Sequence, residues 1–119
     1  WNIQYEVRLG TSVALTPAGE AVAMGSPSED SSAKGIEGNE TLEDATGSGA
    51  AYIYQLSGGA WTQQSYVKAA NTDASDAFGT AIAVSADAAT LVVGAIGEAS
   101  TNDDPNDDTA AAAGAAYLY

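Results

Sequence analysis

The chain has 119 residues, carries 16 acidic against three basic residues for a net charge of −13, and contains neither Cys nor His. This composition excludes disulfides, thiol nucleophiles, Cys/His zinc sites and the Ser-His-Asp triad, and it argues against nucleic acid as a partner. The length allows one domain at most, and no stretch approaches the roughly 20 apolar residues of a membrane helix.

The apolar content favours thin, closely spaced sheets over a thick core. Ala accounts for 26 residues, and only 28 residues carry larger apolar side chains. Burial of a larger side chain is worth roughly 1.5–3 kcal/mol, and Ala contributes far less. The acid excess has two interpretations, which are solubility at high ionic strength and weak binding of divalent cations by acidic loops.

Alternation of apolar and polar side chains with a period of two predicts an all-β chain without amphipathic helices. Tight turns at 17–19 and 57–59 join neighbouring strands, whereas two long acidic segments, 27–48 and 97–109, interrupt the pattern. The predicted strands are, in chain order, 1–7, 11–16, 20–26, 50–56, 61–69, 80–85, 90–96 and 115–119.

The chain repeats itself. Segments 10–15 and 22–27 recur at an offset of 69 residues, and segment 49–54 recurs at an offset of 65. Repetition on this scale indicates supersecondary units that cannot bury their apolar faces alone. A further match at an offset of 60 aligns Trp1, Gln4, Val7 and Arg8 with Trp61, Gln64, Val67 and Lys68. Segment 1–8 is therefore equivalent to the fourth strand of a unit.

These repeats predict two four-stranded antiparallel blades of the propeller type. Residues 10–69 form the first blade, and residues 70–119 form a second blade that lacks its own outer strand. We expect the outer strand to come from an N-terminal segment at 1–9, supplied by another copy or by flanking sequence, because donated strands satisfy open sheet edges. The residues expected to form this assembly strand and its receiving edge are Trp1, Ile3, Tyr5, Val7, Tyr117 and Tyr119.

Several motifs resemble a known family. Phe78-Gly79, Val93-Gly94-Ala95, Gly25-Ser26-Pro27 and the two Gly-Ala-Ala-Tyr strands are similar to FG-GAP repeats, the blades of integrin-alpha-type β-propellers. Stretches 66–79 and 25–36 are especially similar to a secreted bacterial subgroup. The resemblance implies blades, an extracellular or cell-surface setting, and binding in place of catalysis. Calcium-binding members carry an Asp-rich loop between the first two strands, and here the short connections 16–20 and 85–89 do not supply one.

The acidic segment 102–108 holds the strongest candidate for a metal site. Its Asp residues, to which Glu98 could add a ligand, form either a solvated loop or a low-affinity calcium site. A sparser cluster has the same two interpretations. The candidate ligands in the first segment are Asp103, Asp104, Asp107 and Asp108, and the sparser cluster comprises Glu29, Asp30, Glu37, Glu40, Glu43 and Asp44.

No enzyme activity is expected, because glycosidase chemistry needs two acids held about 5–10 Å apart in a rigid cleft, and Gly/Ser-rich loops do not provide one. The Trp and Tyr residues either pair across neighbouring strands or form a sugar-binding platform. The sequence thus predicts a non-catalytic extracellular module for adhesion or protein–protein contact that self-associates by strand complementation into a homo-oligomer or polymer, or joins flanking blades. The alternatives are a filament or ring subunit and a lectin-like glycan binder, and weak calcium is the one cofactor considered.

Overall fold

The computed structural model describes residues 6–101 and 107–119, which form two antiparallel sheets. Sheet 1 has the order β1-β2-β3-β4 and sheet 2 the order β5-β6-β7, so each is a simple meander. No helix is assigned within the described residues, and the predicted all-β class is confirmed. The strands are β1 Ser12–Leu15, β2 Ala21–Ser26, β3 Ala50–Ser57, β4 Ala60–Val67, β5 Phe78–Val84, β6 Leu91–Ala95 and β7 Ala115–Leu118.

Local sequence explains the tight connections. In the β1–β2 hairpin, the backbone N–H of Gly19 donates to the carbonyl of Thr16 over 2.8 Å, and the buried Thr16 hydroxyl accepts a bond from the N–H of Ala21. Between β3 and β4, Gly58 and Gly59 both have positive φ, at 59° and 81°. Two consecutive left-handed residues form the turn whose twist suits a two-residue hairpin, and Gly adopts this conformation without steric cost.

The two sheets pack face to face through a thin apolar layer. Its buried residues are Ala23, Ala51, Val67, Ala69, Phe78, Leu91, Val93 and Ala95. Small side chains on sheet 1 let the backbones approach closely. A Cβ added to Gly25 would lie 1.9 Å from the carbonyl oxygen of Gly79, and the hydroxyl of Ser12 donates to that same oxygen over 2.7 Å. The Ala-rich composition therefore matches a narrow gap between the sheets.

The predicted N-terminal strand lies mostly outside the described residues, and its described end is not extended. Glu6 and Arg8 have positive φ values of 66° and 56°, which a strand does not accommodate. The carbonyl of Arg8 accepts bonds from the N–H and the hydroxyl of Thr11, and the carbonyl of Val7 accepts one from the hydroxyl of Ser26. The expectation of a strand reaching Val7 is thus wrong for this chain on its own, because these turn contacts bend the segment. The donated strand itself stays a prediction.

Candidate functional site

A buried ion pair lies beside the end of sheet 1. Glu29 follows β2, Lys68 follows β4, and both residues have 0% exposure. The Lys68 Nζ lies 2.7 Å from Oε2 of Glu29 and donates to the hydroxyl of Ser48 over 2.7 Å. The hydroxyl of Tyr66 donates to the other Glu29 oxygen over 2.9 Å. Burial lowers the pKa of Lys68, and the adjacent Glu29 carboxylate opposes this change.

The ion pair fastens the long segment 27–48 onto sheet 1. The carboxylate of Asp30 accepts a bond from the N–H of Gly47 over 2.7 Å, and the hydroxyl of Ser48 donates to the carbonyl of Ser31 over 2.8 Å. Glu29 thus serves as the counterion of Lys68, so its place in a sparse calcium-binding acidic cluster is wrong. The pattern of acids in the sequence does not distinguish a paired buried carboxylate from a solvated one.

Glu98 is the second buried carboxylate, with 3% exposure. It follows β6 as Glu29 follows β2, at the repeat offset of 69 residues. Its Oε2 accepts bonds from the hydroxyl of Tyr117 over 2.7 Å and from the amide of Asn71 over 3.0 Å, while its Oε1 accepts bonds from Ser100. Burial acts to raise the pKa of Glu98, but these hydrogen bonds outweigh it and hold the pKa below its usual value.

The environments of the two carboxylates differ in charge. Lys68 neutralises Glu29, whereas no Lys or Arg in the described part of the chain forms an ion pair with Glu98. Asp76, only 3% exposed, adds further negative charge, and its carboxylate accepts a bond from the N–H of Asp73 over 2.8 Å. Burial, reinforced by the charge of Glu98, raises the pKa of Asp76 to about 6 despite that bond. This end of sheet 2 is therefore strongly electronegative.

Beside this acidic end, β7 offers an open edge. It pairs with β6 on one side, and within the described residues no strand pairs with its other side. Leu118 is 72% exposed. Tyr117 and Tyr119 turn their rings to the sheet interface, with centroids 5.4 and 6.2 Å from that of Phe78, and the hydroxyl of Tyr119 donates to the carbonyl of Lys68 over 2.7 Å. These two members of the predicted assembly set therefore support the core of their own chain.

The other predicted site residues are only partly described. Trp1, Ile3 and Tyr5 of the assembly strand, and Asp103 and Asp104 of the metal loop, lie outside the described residues, and Val7 is half-buried in its turn.

Asp107 is engaged within its loop, because its carboxylate accepts bonds from the hydroxyl of Thr101 over 2.8 Å and from the N–H of Thr109 over 3.2 Å. Hydrogen bonds from Thr109 and Thr101 lower its pKa. Asp108 is exposed. In residues 6–101 and 107–119, no three acidic side chains converge as a metal site requires. Calcium binding at Asp103, Asp104, Asp107 and Asp108 stays a prediction.

Sequence reasoning missed the pairing of Glu29 with Lys68 and the burial of Glu98. Two signals were present. Glu98 repeats Glu29 at the same offset as the strands, and Lys68 is the last residue of segment 61–68, which aligns with segment 1–8. An acid that recurs in register with buried strands indicates a structural position, whereas the acids of a solvated loop need not recur.

Two similar β-meanders, packed face to face and braced by buried carboxylates, define a β-repeat module. Residues 61–119 match the family model described as FG-GAP repeat. The family resemblance is thereby confirmed. Searches of curated proteins and of solved structures found no significant match. Among the residues described, no helix is long and apolar enough to cross a membrane.

Proposed function

We propose that this chain is a non-catalytic, β-propeller-type repeat module that mediates adhesion or protein–protein contact outside the cell or at its surface. The FG-GAP match supports a contact function. The buried carboxylates support it too, because Glu29 and Glu98 are both engaged by donors from the chain itself. An acid that serves catalysis needs access to a substrate instead.

The contact proposed here is self-association by strand complementation at β7, and the single observation that carries it is the difference between Glu29 and Glu98. The cation that pairs with Glu29 is Lys68, which directly follows β4, the fourth strand of sheet 1. Among the residues described, sheet 2 has three strands and no Lys or Arg forms an ion pair with Glu98. A fourth strand along β7 would extend the sheet by main-chain hydrogen bonds and bring a basic residue to Glu98.

Segment 1–8 of a second copy has the sequence for this role. It matches residues 61–68, and Arg8 takes the place of Lys68. An Arg–Glu contact in a buried setting is a strong, charge-assisted hydrogen bond. Glu6 and Arg8 would leave their left-handed conformations on donation, which relieves backbone strain on the order of 1–3 kcal/mol for each residue. Donation would also break the bonds that the carbonyl groups of Val7 and Arg8 accept from Ser26 and Thr11, and the main-chain bonds along β7 offset this loss.

The test is sedimentation velocity of the chain over a range of concentrations. Deletion of residues 1–8 should abolish self-association, and Arg8→Gln should weaken it. Lys34→Gln removes the same charge from an exposed residue that pairs with neither Glu29 nor Glu98, so it should leave association unchanged. Association that survives the deletion would contradict strand donation.

Two other functions compete with this proposal. A structural subunit would form rings or fibres, which negative-stain electron microscopy of the purified chain would reveal. A lectin-like glycan binder is favoured by the exposed ring of Trp61, at 46% exposure, because such rings stack on the apolar faces of sugars. A glycan-binding screen with Trp61→Ala as the control tests this function, and signals that do not depend on Trp61 would contradict it.

A further inference from the structure

Each sheet has one face against the other sheet and one face turned outward. We call the outward faces open face 1 and open face 2. Strand register assigns their members, because residues opposite each other in an antiparallel pair project to the same side. Open face 1 comprises Val13, Leu15, Val22, Met24, Tyr52 and Tyr54, and open face 2 comprises Ala81, Ala83, Val92, Ala116 and Leu118.

Open face 1 is the sequence counterpart of a face that is buried. At the repeat offset of 69, Val13, Val22 and Met24 correspond to Ile82, Leu91 and Val93 of sheet 2. Leu91 and Val93 are buried against sheet 1, and Ile82 packs on the same cluster. Val13 and Leu15, by contrast, are each 58% exposed. Open face 1 thus has the apolar character of a packed surface. Its β3 side is covered, because Tyr52 and Tyr54 pack with Ala33 and Tyr66, whereas Val13 and Leu15 of β1 are left exposed.

Open face 2 is the counterpart of the other half of the interface. Ala83, Val92, Ala116 and Leu118 correspond to Ala14, Ala23, Ala51 and Ile53 of sheet 1, at offsets of 69 and 65. Ala23 and Ala51 are buried against sheet 2, and Ile53 packs beside them. The small side chains that let sheet 2 approach sheet 1 therefore recur on the outside of sheet 2, together with the exposed Leu118.

The glycines at the interface repeat as well. Gly79, with φ of 92°, lies so close to sheet 1 that an added Cβ would meet the carbonyl oxygen of Ala50 at 2.4 Å. Its counterpart Gly10 has φ of 90°, yet an added Cβ there would meet no atom within 4 Å. Gly10 thus has the conformation of a close-contact glycine without the contact. Gly94, the counterpart of Gly25, is likewise open apart from Ala81 of its own sheet.

We propose that open face 1 of one copy docks on open face 2 of a second copy and repeats the internal interface between the sheets. This inference rests on the proposed self-association and adds a second contact to it. The faces differ, so the contact is heterologous, and it produces rings or filaments. Docking is also compatible with strand donation. Residues 1–8 come shortly before β1 in the sequence, so docking sheet 1 of one copy would bring this segment to β7 of the other copy.

The test uses two charged variants at exposed positions, Val13→Asp on open face 1 and Leu118→Asp on open face 2. Each should raise the dissociation constant of self-association by about tenfold or more, because a carboxylate would be buried without a partner. Ala111→Asp, at an exposed turn position, adds the same charge and should have no effect. Measurements at about 0.5 M NaCl limit repulsion between copies that each carry −13.

Mixing the two variants distinguishes a heterologous contact from a symmetric one. A Val13→Asp copy retains open face 2, and a Leu118→Asp copy retains open face 1. At a concentration where the wild-type chain associates, each variant alone should be mainly monomeric, whereas an equimolar mixture should form a heterodimer that grows no further. Gly94→Ala gives an independent arm. Its Cβ would lie 3.4 Å from that of Ala81, so the fold is retained while close docking is blocked.

The outcomes separate this inference from strand donation. Association that is lost on deletion of residues 1–8 but unaffected by Val13→Asp and Leu118→Asp would overturn face docking and leave strand donation standing. The opposite pattern would support face docking alone. A wild-type chain that stays monomeric at every concentration would overturn both. Circular dichroism of each variant verifies that the sheets are retained.

Discussion

Removal of the buried cation Lys68 should destabilise the fold severely. The charges of Lys68 and Glu29 are 2.7 Å apart, and their side chains are 0% and 1% exposed. At an effective dielectric constant of about 20, this separation corresponds to roughly 6 kcal/mol of attraction before desolvation is subtracted. Lys68→Met leaves the Glu29 carboxylate buried without its counterion. The expected loss is about 3–5 kcal/mol, a large part of the stability of a small domain.

Urea unfolding followed by tryptophan fluorescence measures this loss. Lys34→Met removes a cation from an exposed position and should change the free energy of unfolding by less than about 0.5 kcal/mol. The double variant Glu29→Gln/Lys68→Met removes both charges and should recover much of the loss, which keeps the test informative if Lys68→Met alone does not fold. A Lys68→Met variant within about 1 kcal/mol of wild type would refute the reasoning.

Three further predictions concern Asp76, the glycines between the sheets, and Tyr117. Burial raises the pKa of Asp76 to about 6 from 3.8, which means that the folded state favours the protonated carboxyl group. The stability that this group contributes is therefore fully present below pH 3.8 and is lost as the pH rises through 6, where the buried group ionises. Asp76→Asn should therefore unfold at a higher temperature than wild type at pH 7, and this advantage should vanish by pH 4; an advantage that does not change with pH would contradict it. Gly25→Ala should cost more than about 3 kcal/mol in urea unfolding, because its Cβ would overlap the Gly79 carbonyl, whereas the equivalent Gly94→Ala should cost less than about 1 kcal/mol; equal losses would contradict the close approach. Tyr117→Phe removes the hydrogen bond from the Tyr117 hydroxyl to the buried Glu98 carboxylate and should lower the free energy of unfolding by about 1.5–3 kcal/mol in the same assay. An unchanged free energy of unfolding would contradict this bond.

The strands and their turns could be predicted from local sequence. Period-two alternation located every strand that the structure describes from residue 12 onward, and Gly58-Gly59 marked the hairpin between β3 and β4. These features depend on contacts between near neighbours. Segment 6–8 departs from the prediction because Ser26 and Thr11 bind its carbonyl groups, and a periodic pattern carries no information about such contacts.

The sequence by itself determined an all-β repeat chain, since alternating side chains specify strands and recurring segments specify similar units. Only the tertiary structure decided which acids are buried and that Lys68 neutralises Glu29 among them. Glu29 and Lys68 stand 39 positions apart, and they meet because β2 and β4 flank β3 and end on the same side of the sheet. Charge burial depends on what covers a side chain in three dimensions, and that covering exists only after the segments on either side have folded together.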